Sequence, residues 1–266
     1  MKNILLLLSF AVFASLFSSC ANQDSSTAVA PVVPQVKLPA ALDLCLSESG
    51  GLGKWNEMKS LTFSFDKGES TEVHKISLKD RKALITRDEV KLGFDGKDVW
   101  VSPNKAAWGK GSARFYHNLV FYFFAIPYVL ADDGTVYEEV APKIIDGISH
   151  KGVKVSYKDG VGDAPDDYYI AYFNPTSGLV HLLLYTVTYY NGEPNEKYKA
   201  IIYEDWQESN GMRVPLQMSG YKYENDTLGE KRYERIFKDV VLSKESFDDS
   251  IFQMPNEAEI DPLVQH

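Results

Sequence analysis

The sequence predicts a mainly β protein with helices (α+β), in which antiparallel strands are joined by tight turns. Aromatic residues make up 13% of the 266 residues, with 16 Tyr and 14 Phe, and such a composition favours sheets. From residue 61 onward, apolar and polar residues alternate with a period of two. One aromatic helical segment interrupts the strands. A hydrophobic fraction of 44% and a charged fraction of 24% are typical of a soluble folded protein.

The N-terminal segment predicts a lipoprotein signal peptide at residues 1–19. A short basic start precedes an apolar run from Ile4 to Phe17, which is too short to span a bilayer comfortably. Small residues and then Cys20 follow, as in a bacterial lipobox, whose Cys is acylated and becomes the mature N-terminus. The alternative is an ordinary signal peptide in which Cys20 is incidental.

The next segment, residues 20–40, is predicted to be an acylated, Pro-rich tether. Acyl chains such as palmitate on Cys20 would make the membrane a partner of the protein. We therefore expect a lipid-anchored protein of the bacterial cell envelope. Ala21 stands where some inner-membrane lipoproteins carry Asp, which favours the outer membrane and leaves its periplasmic or surface face open. A single domain is expected at residues 41–255 and a C-terminal tail at 256–266.

The domain is predicted to begin with a short helix. Apolar residues recur at helical spacing between Ala40 and Glu48, and Gly50 and Gly51 end this helix. Cys45 belongs to the apolar stripe, so we expect it to be a small buried hydrophobic residue.

About ten strands follow, most of them in hairpins. Leu61, Phe63 and Phe65 alternate with polar residues, and Asp95-Gly96 is a favoured hairpin turn. Because tight turns join neighbouring strands, the sheet is expected to be mainly antiparallel. The other strands are predicted within residues 74–78, 92–94, 99–101, 168–173, 179–190, 198–206, 212–218, 221–223 and 232–242.

An aromatic helix is predicted from Ala113 to Ile126, with Ser112 as its N-cap and Pro127 at its end. It is apolar around nearly its whole circumference, so it must lie in a core, against an apolar ligand or on lipid. One hypothesis is that it plugs a curved sheet as filled core. The other is that it contacts a ligand, with five aromatic side chains of helix and facing sheet lining an apolar cavity. These five residues are Phe63, Phe65, Phe121, Phe124 and Tyr128.

The sequence predicts no catalytic residue, metal site or cofactor. G-x-S-x-G, G-x-x-x-x-G-K-[ST], G-x-G-x-x-G and H-E-x-x-H are absent. His117 is the best catalytic candidate, but the sequence shows no nucleophile or metal ligand beside it. The acidic loop at residues 159–167 offers oxygen ligands for calcium, yet it lacks EF-hand spacing, which favours a solvated loop. A net charge of -9 and a pI of about 5.1 argue against nucleic-acid binding.

Several segments in a fixed order resemble a family of bacterial lipoproteins. They include the lipobox and tether, Phe94-Asp95-Gly96-Lys97-Asp98-Val99-Trp100-Val101, the aromatic helix around 121–130, and Tyr172-Phe173-Asn174-Pro175-Thr176-Ser177-Gly178. This uncharacterised family is similar to the LolA/LolB lipoprotein-sorting superfamily, and the resemblance covers most of residues 40 to 255. It implies an incomplete antiparallel β-barrel wrapped around helices, with an apolar cavity that receives acyl chains in that superfamily. The Arg that lipoprotein carriers use at their cavity has no matching position here.

These observations lead to one functional hypothesis and two alternatives. We expect a membrane-anchored cell-envelope lipoprotein, not an enzyme, that binds a lipid or another hydrophobic ligand in the half-barrel. The first alternative is a structural or interaction module with a filled core. The second is an envelope hydrolase whose site has no recognisable motif. No protein partner is indicated.

Overall fold

The computed structural model describes residues 37–158, 166–190 and 197–263. The predicted signal peptide, Cys20, most of the tether and the greater part of the acidic loop lie outside these residues. Within the described ranges, no helix is both long and apolar enough to cross a membrane.

In the part of the chain that the structure describes, the helices are few and short. The predicted first helix is confirmed, and Cys45 is fully buried on it. The predicted aromatic helix is also confirmed, with the Ser112 hydroxyl accepting a hydrogen bond from the Phe115 amide at 3.1 Å. The three α-helices of the described residues are α1 (Ala40–Glu48), α2 (Leu52–Glu57) and α3 (Ala113–Phe124), and single 3₁₀ turns lie at Lys105–Trp108, Tyr128–Ala131 and Asp249–Phe252.

Within the described ranges, the strands form two antiparallel sheets of seven strands each. The first sheet contains β1 (Ser60–Lys67), β2 (Ser70–Ser77), β3 (Ala83–Arg87), β4 (Val90–Phe94), β5 (Val99–Ser102), β13 (Lys238–Ser243) and β14 (Glu259–Ile260). Its order is β13-β1-β2-β3-β4-β5-β14. The second sheet contains β6 (Thr135–Ile145), β7 (Ile148–Tyr157), β8 (Tyr169–Phe173), β9 (Val180–Tyr185), β10 (Lys199–Ser209), β11 (Met212–Glu224) and β12 (Thr227–Ile236). Its order is β12-β11-β10-β9-β8-β7-β6.

One residue joins the two sheets. Phe237 connects β12 of the second sheet directly to β13 of the first, and it is buried. In the described part of the chain, β6 and β14 are the two outer edges of the pair of sheets. The predicted fold class, a mainly β fold in which an incomplete antiparallel barrel surrounds helices, is confirmed.

Helix α3 lies between the two sheets. Its Phe124 ring stacks on Phe63 of β1, with centroids 4.5 Å apart. Its Phe123 ring lies 4.7 Å from Tyr185 of β9. The hydroxyl of Tyr203, on β10, donates a 2.7 Å hydrogen bond to the carbonyl oxygen of Phe123. The helix therefore contacts both sheets and fills much of the space between them.

Four strands lie outside the predicted set of about ten. β6 and β7 form a hairpin, but β6 is an edge strand with little burial, so its sequence shows no apolar alternation. Pro142 falls within a register shift between Val140 and Lys143, where an edge strand tolerates it. β3 is also additional. The two residues of β14 pair with β5 and lie within the segment predicted as the C-terminal tail.

Candidate ligand-binding site

The five aromatic residues predicted to line a cavity are all buried. Each is at most 1% exposed. Phe237 meets the Phe63, Phe65 and Phe124 rings edge-on, at 5.4, 5.9 and 4.9 Å between centroids. The structure thus brings Phe63, Phe65 and Phe124 together in tight aromatic packing, whereas the Phe121 ring meets Tyr122 edge-on.

Tyr128 lies apart from this packing, after the end of α3. Its ring stacks on Trp55 of α2 with centroids 4.2 Å apart. Its hydroxyl is within hydrogen-bonding distance of the carbonyl oxygens of Ser49 and Arg213. The two cavities described here are lined by other side chains. That the five predicted residues line a cavity open to a ligand stays a prediction.

A cavity of about 200 Å³ lies on another side of α3, between this helix and the adjoining ends of β7, β8 and β9. We call it the α3 cavity. From the helix it is lined by Leu119, Tyr122 and Phe123 together with Asn118. The aromatic character of α3 therefore continues from the packed core to the cavity wall.

Tyrosines form the sheet side of the α3 cavity. Tyr157, Tyr169 and Tyr185 stand at the ends of β7, β8 and β9. The Tyr157 ring meets Tyr169 edge-on, with centroids 6.3 Å apart. The Tyr157 hydroxyl is buried and has no hydrogen-bond partner among the described residues. Burial raises the pKa of Tyr157, so its hydroxyl is neutral and able to donate.

Polar side chains also line the α3 cavity, among them Arg114, Asp167 and Thr186. The Asp167 carboxylate accepts hydrogen bonds from the Thr188 amide at 2.7 Å and the Thr186 hydroxyl at 3.2 Å. Burial raises the pKa of Asp167, and these hydrogen bonds oppose the rise. His117 and Phe94 line the cavity as well, with ring centroids 4.8 Å apart. Apolar walls with a few polar groups suit a ligand that has an apolar chain and a polar terminus.

The chemistry-bearing residues singled out in the sequence occupy ordinary surroundings. His117 is buried, and its Nδ1 contacts the carbonyl oxygen of Arg114. Burial raises the pKa of the Cys45 thiol to about 12, which disfavours the thiolate that a nucleophile needs. In the ranges that the structure describes, no three His, Cys, Asp or Glu residues are placed to hold a metal ion.

A buried polar cluster around Glu72 was missed from the sequence. The Glu72 carboxylate is fully buried and accepts hydrogen bonds from Tyr116 at 2.5 Å, His74 at 2.9 Å and Lys67 at 3.1 Å. Arg87 lies 3.4 Å away. Period-two alternation places Glu72 and His74 on the same inward face as Ile76. This alternation is the feature of the sequence from which their burial could have been predicted.

Comparison with known families places the chain in one of them. The family model described as "Family of unknown function (DUF6503)" matches residues 55–228. The chain belongs to the DUF6503 family. This match includes α3 and most of the strands of both sheets. No curated protein matches the sequence of this chain.

Some solved structures align with this chain at low sequence identity. A DUF1329 family protein from Desulfovibrio piger is 14% identical, with a TM-score of 0.48, and the alignment covers 80% of this chain and 96% of that chain. A LolA superfamily protein from Nitrosomonas europaea is 10% identical, with a TM-score of 0.46 and coverage of 82% and 99%. The second protein belongs to the superfamily that the sequence resembles.

Proposed function

We propose that this DUF6503 family member is a lipid-anchored lipoprotein of the bacterial cell envelope that binds one apolar chain in the α3 cavity. The observation that carries the proposal is an aromatic-lined cavity of about 200 Å³ between α3 and the second sheet. Its role in this proposal is binding, not catalysis.

The volume of the α3 cavity limits the ligand. An apolar cavity of about 150 Å³ is large enough to bind benzene. Sites for drug-sized ligands measure about 300–1,000 Å³. A cavity of about 200 Å³ therefore suits one segment of a single hydrocarbon chain and is too small for several acyl chains at once.

The unpaired hydroxyl of Tyr157 adds a polar requirement. A buried donor without an acceptor is unfavourable, and a ligand that supplies the acceptor removes this cost. A carboxyl or ester carbonyl at the end of a hydrocarbon chain has the required oxygen. A fatty acid or a related acyl compound meets both conditions.

The envelope location in this proposal depends on the first 40 residues. The apolar run, the small residues before Cys20 and the Pro-rich tether support an acyl anchor. The absence of Asp after Cys20 supports the outer membrane. A tethered domain with an apolar cavity would meet its ligand at the membrane surface.

Native mass spectrometry of the full-length protein from its own host tests the proposal. We expect an added mass that corresponds to one apolar molecule. Leu119→Trp places a larger side chain against the α3 cavity and should abolish the added mass. Val241→Trp is the matched control, because Val241 is exposed on β13 and does not line the cavity. An added mass that survives in Leu119→Trp would contradict this site.

Titration with parinaric acid tests the polar requirement. Tyr157→Phe keeps the ring but removes the donor, so its affinity should fall by roughly threefold to tenfold. The affinity for an alkane of similar length should not change.

The filled aromatic core favours a second candidate, a structural or interaction module. Phe63 and Phe124 are 0% exposed and leave no space between their rings. If the protein carries no added mass and binds no parinaric acid, the module is the better account.

A further inference from the structure

The outer face of the second sheet carries a second, larger cavity. It measures about 840 Å³, which is within the range of small-molecule sites. Because side chains alternate along a strand, Ile170 of β8 and Leu184 of β9 point away from α3 and form its floor. We call this surface the outer groove. It shares no lining residue with the α3 cavity.

Aromatic rings form the accessible lining of the outer groove. Ile170 and Leu184 are 8% and 2% exposed, so little aliphatic surface is accessible there. Tyr221 and Tyr223, which follow each other on one face of β11, are half-buried. Tyr172 also lines the groove. A ligand would therefore meet ring faces and hydroxyl groups instead of methyl groups.

The outer groove also holds more positive than negative charge, because four cations line it against the two carboxylates of Glu224 and Asp226; the cations are Lys197, Lys199, Lys222 and Arg232. The Asp226 carboxylate is already paired with Lys143 at 2.7 Å and accepts a 2.6 Å hydrogen bond from Tyr223. Lys199 and Arg232 both line the groove, and neither forms an ion pair with a carboxylate of the described residues. Burial lowers the pKa of Lys199, and the nearby positive charge of Arg232 lowers it further. Two neighbouring cations in a protein with a net charge of -9 favour an anionic ligand.

We propose that the outer groove binds an anionic saccharide, with its rings against the tyrosines and its carboxylates on Lys199 and Arg232. Each feature of the groove favours an anionic saccharide over another class of ligand. A peptide cannot add as a strand, because β8, β9, β10 and β11 are each paired on both sides. An acyl chain fits less well, because little of the aliphatic surface of Ile170 and Leu184 is accessible. Guanidinium and ammonium groups make strong hydrogen bonds with carboxylates, and aromatic rings offer flat apolar faces.

Isothermal titration calorimetry of the full-length protein tests the outer groove with three probes. Trigalacturonic acid has a carboxylate on each ring, maltotriose is neutral, and inorganic phosphate has charge without a ring. We expect trigalacturonic acid to bind at least about tenfold more tightly than the other two. Its affinity should fall as salt rises, because exposed cations contribute to it.

Substitutions assign the binding to named residues. Lys199→Gln and Arg232→Gln should each weaken trigalacturonic acid binding by about tenfold. Tyr221→Ala should weaken it through loss of a ring face. Lys91→Gln is the control, because Lys91 is exposed on β4 of the first sheet and should have no effect. Circular dichroism checks that each variant is folded.

Three results would overturn the proposal. The first is no binding of trigalacturonic acid to the unaltered protein. The second is equal binding of phosphate, which would show a site for any anion. The third is binding to vesicles that contain phosphatidylglycerol, lost in Lys199→Gln, without binding of trigalacturonic acid, which would identify a lipid surface instead.

Discussion

The ring of Phe124 on α3 lies on the ring of Phe63 on β1, at an angle of 18° and with centroids 4.5 Å apart. Phe237, the residue that joins the two sheets, closes over both rings edge-on. These three residues come from α3, the first sheet and the junction of the sheets. Their contact therefore packs α3, the first sheet and the junction of the two sheets against one another.

Phe124→Ala should lower the free energy of unfolding by about 3–5 kcal/mol, because it leaves a cavity among packed rings. Urea unfolding of the full-length protein measures this. Phe115→Ala is the matched control on the same helix: Phe115 is half-buried and lines the α3 cavity. It should cost less stability and weaken parinaric acid binding more. The opposite pattern would show that Phe124 lines an open cavity, as the sequence predicts.

Glu72 should make the stability of the fold depend on pH. Burial opposes ionisation of Glu72, but hydrogen bonds from His74 and Tyr116 and the charge of Lys67 outweigh it and lower its pKa to about 2. The contribution of the carboxylate is complete above an unfolded-state pKa of about 4.5 and is lost as the pH falls toward 2. Burial also lowers the pKa of His74, so stability should already begin to decline below about pH 6.5.

Glu72→Gln should lower the free energy of unfolding by about 3 kcal/mol near neutral pH, because Lys67 and Arg87 lose their shared partner. It should also flatten the decline in stability below about pH 4.5. Glu69→Gln in the same hairpin is the control, because Glu69 is exposed. Thermal unfolding at several pH values measures both variants, and identical pH profiles would rule out this role of Glu72.

Much of the fold could be predicted because local signals and tertiary packing agree. α3 combines an N-cap at Ser112 with a continuous apolar sequence, and Pro127 follows its end closely. β6 shows the opposite case, since an exposed edge strand needs no apolar alternation. The sequence nevertheless contains a turn motif that predicts the hairpin of β6 and β7. Asp146-Gly147, both at positive φ, is a favoured two-residue turn between apolar residues.

The sequence indicates that the candidate site lies on α3, but it does not indicate which side of the helix lines the site. A helix with a continuous polar stripe shows which face is buried, whereas α3 is apolar around most of its circumference, with Arg114, His117 and Asn118 confined to its first half. Phe121 and Phe124 belong to the packed core, and Leu119 and Tyr122 line the α3 cavity. Only the positions of the two sheets distinguish these sides. Tyr157 and Tyr185 reach the cavity from strands that are distant from α3 in the sequence. Their positions depend on the tertiary structure, so no local sequence pattern predicts them.

Cys20→Ser should release the protein from the membrane fraction. Only a thiol takes the diacylglyceryl group at this position, so the variant should also lack the acyl mass on its N-terminal peptide. Mass spectrometry of that peptide and fractionation of cells measure the two effects. Cys45→Ser is the control cysteine, since the Cys45 thiol is fully buried on α1. An unaltered protein without acyl mass would disprove the lipoprotein prediction.

The segment after residue 255 should stabilise α3 through Asp261. This carboxylate accepts 3.0 Å hydrogen bonds from the Arg114 amide and the Ser112 hydroxyl, at the positive end of the helix. It also pairs with Lys105 at 2.5 Å. Asp261→Asn should lower the free energy of unfolding by about 1–2 kcal/mol. Asp133→Asn, an exposed aspartate, should have little effect.

The contribution of Asp261 should disappear in acid. Burial acts to raise the pKa of Asp261, but the Lys105 ammonium and the hydrogen bonds from Arg114 and Ser112 lower it below its ordinary value of 3.8. Its stabilising effect is therefore complete above about pH 4 and is lost as the pH falls through the lower, folded-state pKa. Thermal unfolding of the unaltered protein and Asp261→Asn should converge as the pH falls below that range. A constant difference between them at every pH would show that Asp261 acts through packing and not through its charge.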